Sequence, residues 1–289
     1  MQYDFPLYRP PSEAMSLILQ ITLGCSHNKC TFCSMYKTKK YRVKTPQEIQ
    51  EHLDRAKRKF PHATKIFLAD GNVLAMDALE LKNLVERLYI EFPYLERVTS
   101  YAGPKDILAK TENELRELRK AGLTMLYLGV ESGNAQVLKN VKKGVTPREM
   151  VEAGQKAIKA GFKLSCMIIS GLGGKELWEE HALDSAKVIS EINPDYFALL
   201  TLLVEEETSL YNQVEQGKFE LLKPNEVISE TKLMLENLEL SDCVFRSNHP
   251  SNYLSLKGVL NKDKDRLVDV LAQAQQEQFK LRPEGWRGL

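Results

Sequence analysis

The sequence predicts an α/β fold built on a parallel sheet, and three observations predict it. Apolar runs of strand length alternate with helix-length patterns through about two thirds of the chain. Several of the helical patterns open on a capping residue and stop at a glycine. The strands and helices come as six consecutive units, which favours parallel strands joined by right-handed crossovers. Periodicity alone is satisfied equally by a barrel and by an open, doubly wound sheet.

Taken in order, the apolar run 17–23 reads as the first strand. A helix follows over 45–59, opened by Thr45 with Pro46 at the first helical position. The run 65–69 is the second strand, and Asp77 caps a helix over 77–92. Strand 97–101 precedes a helix over 111–121 that starts at Thr111 and stops before Gly122. Strand 125–130 is followed by helix 146–160, opened by Thr146-Pro147 and closed by Gly161. Strand 163–169, helix 176–192 and strand 195–202 complete the alternation. From about 205 it fades: 224–238 and 263–279 read as helices and 243–248 as a short last strand. No Gly/Ser/Pro-rich linker separates this part, so the expected organisation is a core over 1–204 with an extension over 205–289 packed on it.

Composition excludes several classes. The 289 residues are 43% apolar, ample for one large core, and carry 40 basic against 39 acidic side chains. That balance gives no reason to expect a nucleic-acid partner. The local run Lys37-Thr-Lys39-Lys40-Tyr-Arg42-Val-Lys44 reads as a solvated loop face, with a phosphate-binding patch as the alternative. No apolar stretch approaches the roughly 20 residues that span a bilayer, and the first residues lack a signal-peptide core. The expectation is a soluble, cytoplasmic protein whose thiols stay reduced.

Three of the five cysteines stand within nine residues, Cys25-Ser-His-Asn-Lys-Cys30-Thr-Phe-Cys33, just after the first strand. Three thiolates on one loop can hold a metal centre and leave one coordination position open for chemistry. Zinc is the plainer alternative, with His27 completing a tetrahedron. Cys166 and Cys243 lie far apart in apolar runs and read as buried thiols. With Phe32 directly before the last cysteine, the loop resembles the cluster loop of the radical S-adenosylmethionine superfamily, with one residue more than the commonest Cys-x3-Cys-x2-Cys spacing. The resemblance implies a [4Fe–4S] cluster on Cys25, Cys30 and Cys33, and a partial (β/α)6 TIM-like barrel with a C-terminal α/β extension.

The resemblance extends along the strand ends, where parallel strand–helix folds gather their functional groups. Asp70-Gly71-Asn72 follows the second strand where the superfamily has Gly-Gly-Glu, which receives the methionyl ammonium. Asn72 replaces the acid, and Asp70 is the carboxylate at hand. Leu128-Gly129-Val130-Glu131-Ser132-Gly133, followed by Lys142-Lys143-Gly144, resembles the methylthiotransferase- and elongator-like branch. There an acid at Glu131 meets the ribose or amino group, and a basic residue at Lys143 meets the carboxylate. Met167-Ile168-Ile169-Ser170-Gly171-Leu172-Gly173-Gly174 resembles the segment in which an apolar strand residue packs against adenine and a glycine-rich turn lets the chain approach the ligand. The resemblance thus implies S-adenosylmethionine held by Phe32, Asp70, Gly71, Asn72, Glu131, Lys143, Ile169 and Gly171.

The same resemblance implies an enzyme that cleaves S-adenosylmethionine reductively and removes a hydrogen atom from a small molecule, fed by an electron donor of the flavodoxin or ferredoxin kind. No acid–base catalytic residue is assigned, and no hydrolase elbow, metalloprotease helix or phosphate loop is present. Arg246, Asn248 and His249 lie beyond the six units in a stretch dense in hydrogen-bonding groups, which reads either as a polar turn or as the substrate side of the site, where arginine would suit an anionic substrate. A non-catalytic iron–sulfur or zinc protein, acting as electron carrier or scaffold, is the competing class. It has no use for Glu131, Lys143 or the glycine-rich turn.

Overall fold

The structure, a computed structural model, describes residues 2–278 and 280–288. Two compact units divide the chain. The first comprises Met1–Asn28, Cys33–Leu128 and Lys156–Leu164; the second comprises Lys29–Phe32, Gly129–Gln155 and Ser165–Leu289.

In chain order the first unit contains β1 (Leu17–Gln20), β2 (Thr22–Leu23), β3 (Arg42–Val43), α1 (Pro46–Lys59), β4 (Lys65–Ala69), α2 (Ala78–Glu91), β5 (Arg97–Ala102), α3 (Pro104–Ala109) and α4 (Glu112–Ala121). β6 (Leu123–Glu131) begins in this unit and ends in the second. The sheet order is β1-β4-β5-β6, and each successive pair is parallel. The expected caps are in place. Thr45 and Thr111 each form a reciprocal box with the glutamate three residues on, and Asp77 accepts from the amides of Leu79 and Glu80. Each such cap is worth about 1 kcal/mol. Gly122 ends α4 in the left-handed region at φ +114°, where a side chain would be strained.

One expectation needs correcting. The run 17–23 is not one strand: after Gln20 the chain changes partners, and Thr22–Leu23 pairs antiparallel with Arg42–Val43. Ile21 is the pivot, its amide donating to Ala69 O while its carbonyl accepts from Lys44 N. The small ribbon forms a neck beneath the loop that carries Cys25 and Cys33.

The second unit contains α5 (Ala135–Asn140), most of α6 (Pro147–Lys159), β7 (Lys163–Ser170) from Ser165 on, α7 (Trp178–Ile192), β8 (Tyr196–Thr201), α8 (Ser209–Glu215), α9 (Pro224–Glu236), β9 (Cys243–Ser247), β10 (Leu256–Leu260) and α10 (Lys264–Gln275). Its order is β7-β8-β9-β10, parallel up to β9 and antiparallel at β10. α9 packs against α7 and α10. Cys166, Phe197 and Phe245 stand in register on one face and are buried; Met167, Ala198 and Arg246 stand in register on the other. β10 and the short helices α3, α5 and α8 were not expected from the sequence. Helix 263–279 is shorter than expected, ending at Gln275; the expected end at Phe279 lies outside the described residues. Among the described residues no helix is long and apolar enough to cross a membrane.

Candidate functional site

In the first unit, the loop above the ribbon rests on Asp70. This residue is fully buried, and its carboxylate accepts from Gly24 N at 3.0 Å, Gln20 Nε2 at 3.1 Å and Lys39 Nζ at 3.1 Å. Its own amide donates to Thr22 Oγ1 at 3.0 Å. Burial raises the Asp70 carboxyl above its ordinary value, while those three contacts pull it back. Lys39 also donates to the carbonyls of Asp4 and Pro6, at 2.6 and 2.7 Å, and so pins the chain before β1 to the same post. Gly71 follows because nothing larger fits. A Cβ there would stand 2.6 Å from Tyr36 Cε2 and 3.2 Å from Cys25 Cβ.

Asn72 bridges the loop to the end of β5. Its Nδ2 donates to Ser26 Oγ at 2.6 Å and to the carboxylate of Asp106, and its Oδ1 accepts from Gly103 N at 3.1 Å. Gly103 is again a matter of space, since a Cβ would meet Asp106 Oδ2 at 2.6 Å. The Tyr41 phenol, pushed up to about 12, owes the shift first to burial and then to Asp106 and Cys25, which both stand near it. Asp106 is half-buried and was missed by sequence reasoning; nothing in its surroundings, Pro104-Lys105-Asp106-Ile107, distinguishes it from a first-turn helix acid.

In the second unit, Glu131 takes φ +68° at the end of β6, and its Oε1 accepts from Lys143 Nζ at 3.0 Å. Both side chains are largely enclosed, at 14% and 12% exposure. A Cβ at Gly129 would fall on Glu131 Oε1. The turn after Glu131 is fastened to α7. His181, fully buried, reaches Ser132 Oγ at 2.8 Å through Nδ1 and Ile169 O at 3.1 Å through Nε2. A carbonyl only accepts, so Nε2 carries the proton and Nδ1 accepts from Ser132, whose oxygen in turn accepts from Asn134 N. Burial lowers the His181 imidazole to about 4, which keeps it neutral.

Ile169 and Phe32 pack on a cluster of Val137, Val141, Leu172, Leu202 and Leu210. Thr31, next to Cys30, is tied to the same cluster, its amide donating to Val141 O and its carbonyl accepting from Leu210 N, both at 3.0 Å. Gly171 opens the turn after β7 in the left-handed region, at φ +84°.

The three predicted substrate residues separate. Arg246 is exposed on the face of β9 opposite Phe245, with Nη1 donating to Phe245 O at 2.7 Å. Asn248 is exposed beyond the strand. His249 accepts from Ser251 N, within a segment strapped by Arg287, whose guanidinium donates to Ser251 O, Leu202 O and Tyr253 Oη. Burial and the nearby Arg282 lower the His249 imidazole.

Cys25, Cys30 and Cys33 are partly exposed and in no disulfide, whereas Cys166 and Cys243 are buried. Among the described residues no three of His, Cys, Asp and Glu converge on a single ion. Three accessible cysteine sulfurs on one loop are a soft donor set that would fit an iron–sulfur cluster.

The radical SAM superfamily profile matches residues 19–186, more than half of the chain. The chain belongs to the radical SAM superfamily. It is therefore an enzyme of the group whose cofactors are a [4Fe–4S] cluster and S-adenosylmethionine. The heme chaperone HemW of Bacillus subtilis (strain 168) is 23% identical over 229 residues, covering 74% of this chain and 58% of the relative. The radical SAM chain thus spans little more than half of that protein. Methylornithine synthase has a similar structure, with TM-score 0.54 and 19% identity over 93% of this chain and 83% of its own. The radical SAM enzyme coproporphyrinogen III oxidase of Escherichia coli gives TM-score 0.55 and 19% identity, over 76% of this chain and 52% of its own. These likenesses show the fold, the partial (β/α)6 TIM-like class expected above.

Proposed function

We propose that this radical SAM enzyme holds its cluster on Cys25, Cys30 and Cys33, cleaves S-adenosylmethionine reductively, and takes hydrogen from a small anionic substrate. The observation that carries the reading is the support around the cysteine loop. Asp70, Gly71, Asn72 and Lys39 fix the course of the loop from Gly24 through Ser26, which carries the partly exposed Cys25. When bound, the cluster supplies the electron that splits the sulfonium into methionine and a 5′-deoxyadenosyl radical. The protein's part is orientation and exclusion of water.

In this reading Asn72 and Asp106 together offer the acceptors that an ammonium group needs. Asp70 works from below, as the post of the loop. Glu131 and Lys143 exchange their mutual ion pair for the cofactor's hydroxyl or amino group and its carboxylate. Phe32 and Ile169 supply an apolar surface for adenine. A one-electron donor of the flavodoxin or ferredoxin kind would feed the site.

The anionic substrate rests on register. Met167, Ala198, Arg246 and Lys257 are successive partners across four strands, so they share one face with Ile169. At about 4.8 Å per strand and 3.3 Å per residue, Arg246 lies two strands across and two residues below Ile169. Arg246 and Lys257 face each other directly across the antiparallel pair. Like charges so placed oppose pairing, and a bound carboxylate or phosphate would relieve them.

The test is anaerobic reconstitution followed by iron, sulfide and zinc analysis, then reduction with S-adenosylmethionine present. Four irons and four sulfides per chain and slow formation of 5′-deoxyadenosine are expected, both lost in Cys33→Ala. Stoichiometric zinc without sulfide would overturn the reading, and a full cluster in Cys33→Ala would overturn the ligand assignment.

A further inference from the structure

Helix α9 carries an acid on its buried side that the chemistry above does not use. Glu230 has no exposed surface. Its Oε2 accepts from Gly171 N at 2.7 Å, and the Ser170 hydroxyl bonds to the same carboxyl group. Oε1 makes no hydrogen bond. Burial pushes the carboxyl up to about 8, so the group is mostly uncharged at neutral pH. A neutral acid is far cheaper to enclose than a carboxylate, and it still offers a carbonyl-type acceptor.

The amide it accepts from stands at a particular place. Gly171 is the first residue of the turn after β7, and the turn closes on itself through Gly174 N to Gly171 O at 3.1 Å. Leu172 N returns to Ile169 O at 3.3 Å and Leu202 N to Ser170 O at 2.9 Å. The Gly171 N–H points away from all of these toward α9. Without an acceptor there, a buried donor is left unpaired, and the turn relaxes to find one. Ile169 lies two residues upstream and moves with it.

We propose that Glu230 is a positioning residue for S-adenosylmethionine: by accepting from Gly171 N it sets the height of the Gly171–Gly174 turn and of the Ile169 side chain against the cofactor. This rests on the reading that the end of β7 lies against the adenosyl group. It also gives the region after residue 205 a task at the cofactor site, since the Glu230 side chain of α9 reaches the first amide of the glycine turn.

The experiment compares the cluster-loaded wild type with Glu230→Gln and Glu230→Met. Affinity for S-adenosylmethionine is read from the change in the electron paramagnetic resonance signal of the reduced cluster. Amide exchange of the peptide covering 165–175 is read in protein without cluster. Glu230→Met should weaken S-adenosylmethionine about tenfold, as expected for one lost hydrogen bond in a buried site, with iron content unchanged. It should also speed exchange of the Gly171 amide. Glu230→Gln keeps the acceptor and should restore both readings to within about threefold of wild type. Should Glu230→Met fail to fold, Glu230→Ala removes the acceptor with less bulk and is read the same way. Wild-type affinity in the variants lacking the acceptor overturns the inference, as does a Gln variant as weak as the Met variant. A loaded wild type that does not bind S-adenosylmethionine at all sinks the functional reading, and this inference with it.

Discussion

The ammonium of Lys39 has three oxygen acceptors within 3.1 Å, and its side chain is only 6% exposed. Its pair with the fully buried Asp70 is an ion pair withdrawn from water, which adds little to stability when intact and costs heavily when halved. Replacing Lys39 with methionine strands the Asp70 carboxyl and two backbone carbonyls, so a loss of about 3–5 kcal/mol in urea unfolding is expected. The double variant Lys39→Met/Asp70→Asn should recover a large part of that loss, because no buried charge then remains. Equal losses in the single and double variants would show that the two residues do not act as a pair. Sequence reasoning could see Asp70 as a carboxylate at a strand end. It could not see that Gln20, Gly24 and Lys39 converge on it from positions 50, 46 and 31 residues away. The same holds for Asp106, which meets Asn72 across 34 residues.

Among elements, the long strands and helices were legible because short, almost continuously buried apolar runs alternate with longer segments that bury one helical face. The run Lys65–Ala69 is a strand as read, and α1, α2 and α4 start at the predicted caps. The break at Ile21 was not legible, since a strand that changes partner keeps its apolar pattern. β10 hid for another reason: Leu-Lys-Gly-Val-Leu carries a glycine mid-strand and an antiparallel partner that the alternation rule does not anticipate. At this scale the fit between the turn after β4 and the cysteine loop can be tested. Gly71→Ala puts a methyl group 2.6 Å from Tyr36, a crowding worth about 1–3 kcal/mol. Reconstituted iron should fall sharply, and Tyr36→Val in the same chain should restore it. Full iron in Gly71→Ala alone would show that the loop tolerates displacement there.

For the whole molecule, the buried titratable groups shape stability against pH. His52 and His181 are lowered from 6.5 to about 4, chiefly by burial, so the unfolded chain gains protons that the folded one does not as pH falls below 6.5. Stability therefore drops on the acid side, down to about pH 4. Glu230, raised from 4.5 to about 8, acts in the opposite sense: the unfolded chain loses its proton first, and stability falls as pH rises between those values. Each group contributes a slope of up to about 1.4 kcal/mol per pH unit. With two groups on one side and one on the other, these three place their joint maximum near pH 6.5. Urea titrations across pH should show Glu230→Gln losing the decline between 6.5 and 8; an unchanged slope would assign that decline to other groups. The residues before β1 carry a consequence of a different kind, for gene starts. Glu13 is fully buried, accepting from Tyr127 Oη at 2.6 Å and from Arg97 at 2.9 Å, and Asp4 and Pro6 supply two of the three acceptors of Lys39. A reading frame opened at the internal Met15 would encode every cysteine and every glycine turn, and a search by motif would accept it. Its product would lack Glu13, leaving Arg97 and Tyr127 without their shared acid. The cysteine loop would lose the chain that Lys39 fastens beneath it.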